Sequence, residues 1–445
     1  MSDCATQETM RFETETALAL EAAFDGGRIT SDGGLLWLSK MDTELGLCET
    51  ISEHVPEWRR RKGRHSLASL VKQRVLQIAC GYEDQNDSDT LREDPLWKFS
   101  CGSLPESGQD LASQPTICRM ENAATRGSCH QIAEVLFETY LREREKDGAP
   151  KKVLPDFDST DDPIHGEQEG SYYHGYYRQH MYHPLLVFDG ETGHLITALL
   201  RAGNTHASNS SVALLKRIAT CLRERWPGVE IELRADAGFA VPAVYDYCES
   251  EGITYTIALI TNERLLEMAE DLLEEATEHY ELTTHKARLF GEDVYQAGSW
   301  ENKRRVVYKA EVMEQGTNRR FVLTTRSDTP KALYEFYARR GEGENWIKDL
   351  KLHIKADRLS CHSFIANQFR LLLHACAYWL MDALRRKLIE SGSPLMQLDT
   401  LHLRLVKVGG RIRELATKVR LHLASGHPGQ SLWHALSLSF GSVHE

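Results

Sequence analysis

The feature that most constrains this chain is a change of hydrophobic period between Val153 and Ile260. "VLPDFDSTDD" reads as a strand. "HPLLVFDGETGHLITALLRAG" reads as two strands joined by an Asp-Gly/Thr-Gly turn, hence a hairpin. "SNSSVALLKRIATCLRERW" has helical spacing, and "GVEIELRADAGFA" is a strand that ends in a loop. "VPAVYDYCESEG" is a helix and "ITYTIALI" a buried strand. The predicted order is β-β-β-α-β-α-β, which requires a mixed sheet with helices packed on it.

That order is the order of a ribonuclease-H-like domain, so the expected class is α/β with a ribonuclease-H-like catalytic core spread over residues 150–261 and 327–390. Residues 262–326 interrupt the core. They open with an acidic helix and continue through "ARLFGEDVYQA", "RRVVYKAEVM" and "RRFVLTTR", so the insertion is predicted to be β-rich. Residues 1–145 read as a helical N-terminal DNA-binding or dimerisation region. There Ser31 and Asp32 offer a helix cap, and "SLASLVKQRVLQIACGY" is an amphipathic helix stopped at Gly81. "KDGAPKK" reads as a linker to the core. Residues 391–445 are expected to be a C-terminal region for DNA binding or dimerisation, with short strands predicted between 399 and 424.

No stretch of eighteen apolar residues occurs, and the long apolar segment after Ser363 is broken by Asn367, Gln368, Arg370 and His374. It is therefore a core helix and not a membrane span. The polar start "MSDCATQETMRFETE" lacks the apolar centre of a signal peptide. Ten dispersed cysteines without a C-x-x-C pair argue against structural zinc and fit a reducing cytoplasm. A net charge of −12 argues against a protein that simply coats nucleic acid. The distribution is uneven, however. "LLEMAEDLLEEATEHYE" is acidic throughout, whereas "RRRKGRH" (Arg59, Arg60, Arg61 and onward), "NKRRVVYK" (Lys303, Arg304, Arg305 and onward) and "RLVKVGGRIRELATKVR" are basic. Each basic run is either a solvated face or a phosphate-gripping patch.

Carboxylates at strand positions carry the chemistry. "DFDST" places Asp156 and Asp158 two apart on one face of a strand, and "RADAGF" places Asp236 at a strand end, where α/β sheets build their sites. The plainer reading makes Asp158 and Asp236 turn residues. In "YEFYARRGEGENWIKDLKLHIKAD", a single helix would bring Tyr337, Arg340, Glu344 and Lys351 within about 60° of one another, with Lys348 beside them. One carboxylate flanked by cations suits a site holding a metal-bound phosphate. The alternative is a ladder of surface ion pairs worth a few tenths of a kcal/mol each. Three carboxylates from two strands and a helix can converge on two divalent cations about 3.5–4 Å apart, the arrangement that activates a nucleophile and stabilises a leaving oxygen. Such an all-oxygen set suits magnesium.

The spacing Tyr337-x2-Arg340-x3-Glu344-x6-Lys351 resembles the Y-R-E-K signature of bacterial insertion-sequence DDE transposases. With "DFDST", "HGEQEG", "RADAGF" and "GYEDQNDSDTLREDP", the likeness extends from about Ile29 to Pro428 and is closest to the insertion-sequence thirteen-eighty family. The resemblance implies a transposase in the bacterial cytoplasm, at the nucleoid. It would bind terminal inverted repeats, cleave element ends by metal-dependent hydrolysis, and join the 3′-hydroxyl ends to target DNA as a homodimer on DNA. It implies Asp158, Asp236 and Glu344 as catalytic metal ligands, with Asp156 the rival for the first position, and two Mg2+ ions that Mn2+ can replace. Tyr337, Arg340, Lys348 and Lys351 would bind DNA next to the cut. Trp300 would be an aromatic wedge from the insertion, against the plain reading of a half-buried strand tryptophan. The competing functions are a ribonuclease-H-like nuclease without strand transfer and an inactive DNA-binding regulator descended from a transposase.

Overall fold

The computed structural model describes residues 9–15, 18–61 and 63–441. The first eight residues, with Cys4, and Lys62 of the first basic run lie outside the described residues. The chain divides into two compact units, Glu121–Trp379 and a second made of Met1–Met120 with Leu380–Glu445.

The Glu121–Trp379 unit is built on one mixed sheet. Its strands are β1 (Pro155–Ser159), β2 (Leu185–Asp189), β3 (Leu195–Leu199), β4 (Glu230–Ala235), β5 (Thr254–Ala258), β6 (Ala287–Tyr295), β7 (Arg304–Met313) and β8 (Gly316–Thr324). Their order across the sheet is β3-β2-β1-β4-β5-β8-β7-β6. The β3-β2-β1 meander is antiparallel, and β1, β4 and β5 run parallel. The sequence explains the centre of this sheet. β2 is the uninterrupted apolar run Leu185–Phe188, buried throughout, as a strand covered on both faces should be. Helices α1 (Arg126–Arg144), α2 (Ser211–Arg225) and α3 (Pro242–Glu251) belong to the same unit. α1 lies against β3, although it falls inside the 1–145 segment predicted as a separate N-terminal region.

The insertion does not form a body of its own. β8 pairs antiparallel with β5, Ile257 opposite Leu323, so β6–β8 continue the core sheet. The acidic helix α4 (Glu270–Thr283) buries Ala276 against Ala287 and Val312, with Leu273 and Tyr280 beside them, and leaves its carboxylates outward. After β8 come α5 (Pro330–Ala338), α6 (Gly341–Lys348), a π-helical turn at Asp349–His353 and α7 (Phe364–Glu390). The single helix predicted for Tyr334 to Asp357 is thus broken between Ala338 and Gly341 and loosened again from Asp349 on. No described helix is long and apolar enough to cross a membrane.

The second unit is helical, with a small sheet. Its helices include Leu35–Leu45, Leu67–Ala79, Pro95–Ser100 and Gln430–Ser439. Ser66 caps the second by accepting from the Ser69 amide, and Asp94 caps the third. Strands β9 (Gly410–Glu414) and β10 (Val419–Leu423) form an antiparallel ribbon, and Ile29–Thr30 pairs on the outer side of β9. The predicted cap at Asp32 is replaced by something more buried. Asp32 accepts from the Tyr82 hydroxyl at 3.0 Å, the Trp97 indole at 3.1 Å and Lys407 at 2.7 Å. The two glycines after it are needed for contact, since a Cβ at Gly33 or Gly34 would collide with the Val408 or Leu405 carbonyl.

Candidate active site

Strand pairing sets the first two carboxylates. Ala235 is opposite Phe157 on the adjacent parallel strand, so Asp236, one residue on, stands level with Asp158. Neighbouring strands lie about 4.8 Å apart, which puts both acids at the same sheet edge. Asp236 also caps the short turn Ala237–Phe239 by accepting from the Gly238 amide at 2.8 Å, so its turn role and its place at the edge coexist. Burial, joined by the Asp236 and Asp156 charges, pushes the Asp158 carboxyl up to about 7, against the pull of Arg340.

Asp156 faces the same way but is engaged differently. Both its oxygens accept from Arg234, Nε at 2.6 Å and Nη2 at 2.5 Å, in a buried fork. Burial raises its carboxyl to about 6, while Arg234 pulls it down. Gly190 makes room for this pair, because a Cβ there would stand 2.5 Å from the Asp156 carboxylate. Of the two residues competing for the first position, Asp158 has the freer oxygens.

Arg340 ties the helical half to the strand half. Its Nη1 donates to Asp158 at 2.7 Å, and its Nη2 stands 3.6 Å from Glu344. The Tyr337 phenol lies close enough to feel the same guanidinium, whose charge opposes the rise that burial imposes on it. Glu344 itself is 70% exposed. α6 is seated by Trp346, which packs over Gly193 and 5.6 Å from Phe188 at the end of β2. Lys348 is exposed on α6. Lys351 reaches back to β1's continuation, donating to Thr160 at 3.0 Å and Asp161 at 2.7 Å. Burial pushes Asp161 up, but Lys351 and the Gln179 amide more than offset this, leaving it below the usual carboxylate range.

Two neighbours were not anticipated. Asp162 is buried, its carboxyl oxygens have no hydrogen-bond partner among the described residues, and burial with the nearby Asp357 charge raises it well above the usual range. Tyr177, from the tyrosine-rich stretch, senses the charges of Asp161, Asp158 and Asp236, and burial above all pushes its phenol to about 12. Only the acid-rich composition of "DSTDD" hinted at the first. Nothing local in the sequence marked the second.

Several predicted DNA contacts are placed elsewhere or engaged. Trp300 is 9% exposed and wedged between Tyr245 at 5.3 Å and Tyr295 at 5.4 Å, with Arg304 over its ring. An unstacking wedge needs an exposed ring, and this one is a core residue of the insertion. Arg304 is buried and bound to Asp246 and Glu249, while Arg305 is bound to Glu292. Neither guanidinium is free for a phosphate, because acids distant in sequence have neutralised the run; Lys303 alone of the three is exposed without such a pair. In the other unit, Arg59 is held by Glu57, and Arg60 and Arg61 are exposed.

The donor set is all oxygen, which suits a hard divalent cation in kind. Among the described residues no three acidic or histidine groups stand close enough to share one ion. Arg340 instead supplies the positive charge between Asp158 and Glu344.

A family model described as Transposase DDE domain group 1 matches residues 12–440. The chain belongs to this DDE transposase family. No curated protein matches the chain. Among solved structures, this DDE transposase is similar to the piggyBac transposase synaptic complex with hairpin DNA determined by cryo-EM. The identity is 12%, over 85% of this chain and 80% of that one, with a TM-score of 0.43. That likeness is too slight to bear on the site or the reaction.

Proposed function

We propose that this DDE transposase binds the terminal inverted repeats of a bacterial insertion sequence, cleaves at the element ends, and joins the 3′-hydroxyl ends to target DNA in a cut-and-paste reaction. The observation that carries the reading is the placement of Asp236 level with Asp158 on adjacent parallel strands, with Arg340 linking Asp158 to Glu344. The antiparallel β3-β2-β1 meander followed by parallel β4 and β5 supports a ribonuclease-H-like core. The sequence spacing Tyr337-x2-Arg340-x3-Glu344-x6-Lys351, following Asp158 and Asp236, supports the more specific insertion-sequence thirteen-eighty assignment.

DDE transposase domains use divalent metal ions. Asp158, Asp236 and Glu344 would hold two Mg2+ ions here, or Mn2+ in their place, and the ions would supply charge stabilisation at both the attacking and the leaving oxygen. The chain's own groups do the rest. Asp158, whose carboxyl burial raises to about 7, would have to be deprotonated to serve as such a ligand. Arg340 then exchanges its carboxylate partners for the phosphate next to the cut, where its planar fork fits two oxygens. Tyr337 orients that fork, and Lys348 contributes a point charge. Lys351 remains anchored to Asp161 and Thr160 and steadies the edge beside β1. Pairing two element ends calls for a homodimer on DNA.

The deciding experiment incubates the protein with labelled element ends and Mg2+, then sizes both strands and any joined product. Cleavage with joining is expected. Cleavage with free 3′-hydroxyl ends that never join would identify a nuclease, and binding without cleavage would identify a regulator.

A further inference from the structure

We propose that the outward face of the β9–β10 ribbon, carrying Arg411, Arg413, Arg420 and His422, grips the phosphate backbone of duplex DNA without reading its sequence. The inference rests on the transposase reading above for its choice of partner. The register decides the geometry. Arg413 is directly opposite Arg420, and Arg411 is directly opposite His422. Residues directly opposite in an antiparallel pair share a face, so these side chains form a block of cations on one side of the ribbon. All four are exposed. The other side is seated in its unit, with Ile412 1% exposed.

Such a block is costly to the folded protein alone. Like charges directly opposite each other destabilise a sheet, and the usual remedy is an interleaved acid. The ribbon contains one, Glu414, but its parity sends it to the other side. There it accepts from the Glu106 amide at 2.9 Å, the Ser107 amide at 3.1 Å and the Ser107 hydroxyl at 2.6 Å. No ion pair to Arg411, Arg413 or Arg420 occurs among the described residues. In the insertion, by contrast, Arg304, Arg305 and Lys309 are each matched by a carboxylate. A chain of net charge −12 that neutralises one basic run and leaves another unmatched has kept the second for an external anion.

The dimensions suit a polyanion. Alternate residues along a strand are about 6.8 Å apart and opposite residues about 5 Å, so the block offers a small grid of donors and not one pocket. Lys418, exposed at the ribbon turn, shares the parity of Arg420 and lengthens the block at that end. Guanidinium groups on phosphate oxygens position a duplex but carry no sequence information.

The test compares the full-length protein with the Arg413→Ala/Arg420→Ala variant. Affinity for a random-sequence duplex and for a duplex carrying an element end is measured from about 50 to about 200 mM KCl. Losing two phosphate contacts should flatten the slope of log affinity against log salt by about 2 and weaken binding about 10- to 100-fold, equally for both duplexes. The thermal midpoint without DNA should hold or rise, since a repulsive pair is gone. An unchanged slope with wild-type affinity overturns the inference. So does a variant that loses self-association in sedimentation while keeping its DNA slope, which would assign the face to an acidic surface such as α4 of a second copy. Failure of the functional reading looks different, because the unmodified protein would then cleave element ends without joining them, or bind them without cleaving, whatever its salt slope.

Discussion

The two halves of the acidic site are built on different principles. Asp158 and Asp236 stand on adjacent parallel strands at the centre of a sheet, one semi-buried and the other fixed by capping its own turn. Glu344 stands on the short helix α6, 70% exposed, and its described link to the strands is the long side chain of Arg340. The strand half is held by backbone hydrogen bonds along its whole length, whereas the helical half is held by Trp346 and one arginine. The lesson is that the site has a fixed wall and an adjustable one. The guanidinium between them pairs with both carboxylates, and on the proposed reading it would turn to the substrate phosphate once cations took its place.

The largest effect expected on the fixed wall is loss of chemistry. Asp158→Asn or Asp236→Asn should lower the rate of end cleavage by about 10³-fold or more, at the upper end for a lost electrostatic group, while DNA affinity stays within a few-fold. Near-normal cleavage by either variant, scored on labelled ends, would remove that residue from the site. Asp156→Asn should act on the fold instead. It leaves Arg234 buried and unmatched, so chemical denaturation should show a loss of about 3–5 kcal/mol. A variant as stable as the parent would mean that the fork is not structural and would return Asp156 to the contest for the first position.

The adjustable wall should respond to charge more than to reach. Glu344→Gln is expected to slow cleavage about 10²-fold, and Glu344→Asp only about 10-fold, because an exposed side chain has room to absorb the missing methylene. Equal losses in the two variants would show α6 to be as rigid as the strands.

The smallest effect is a pH dependence of metal-free stability. Asp158 titrates near 7 when folded, against the ordinary 3.8 when unfolded. The folded chain therefore holds the extra proton between those values. The resulting stabilisation is complete below pH 4 and is lost as pH rises through 7. Asp158→Asn should remove this dependence and leave the protein more stable at pH 8 by on the order of 2 kcal/mol. Matching pH profiles for variant and parent would show that Asp158 is not the proton holder.

What was legible in the sequence follows the same division. The strand half could be read because period-2 runs, turn residues and the step from Ala235 to Asp236 are local. The mixed sheet flanked by helices emerged from that alternation. The helical half was drawn too regular. Spacing alone placed Tyr337, Arg340, Glu344 and Lys351 on one line, whereas the helix breaks after Ala338 and loosens at Asp349, and Lys351 turns to Asp161. Charge partners were the least legible of all. Arg304 looks free in "NKRRVVYK" because Asp246 and Glu249, which neutralise it, lie more than fifty residues earlier. Trp300 was opaque for the same reason, since Tyr245, one of its two covering rings, is equally remote in sequence. Asp32 was read as a helix cap because its partners, Tyr82, Trp97 and Lys407, are remote.

The continuity of the sheet from β1 through β8 to β6 has a mechanical consequence. β7 and β8 are ten and nine residues long, about 30 Å at strand rise, and β8 is stitched to β5, which in turn is stitched to the strand leading into Asp236. A load applied at the far turn between Met313 and Gly316 meets no hinge on the way. It would arrive at the acidic edge as a tilt of the whole plate, making the long hairpin a lever on that edge.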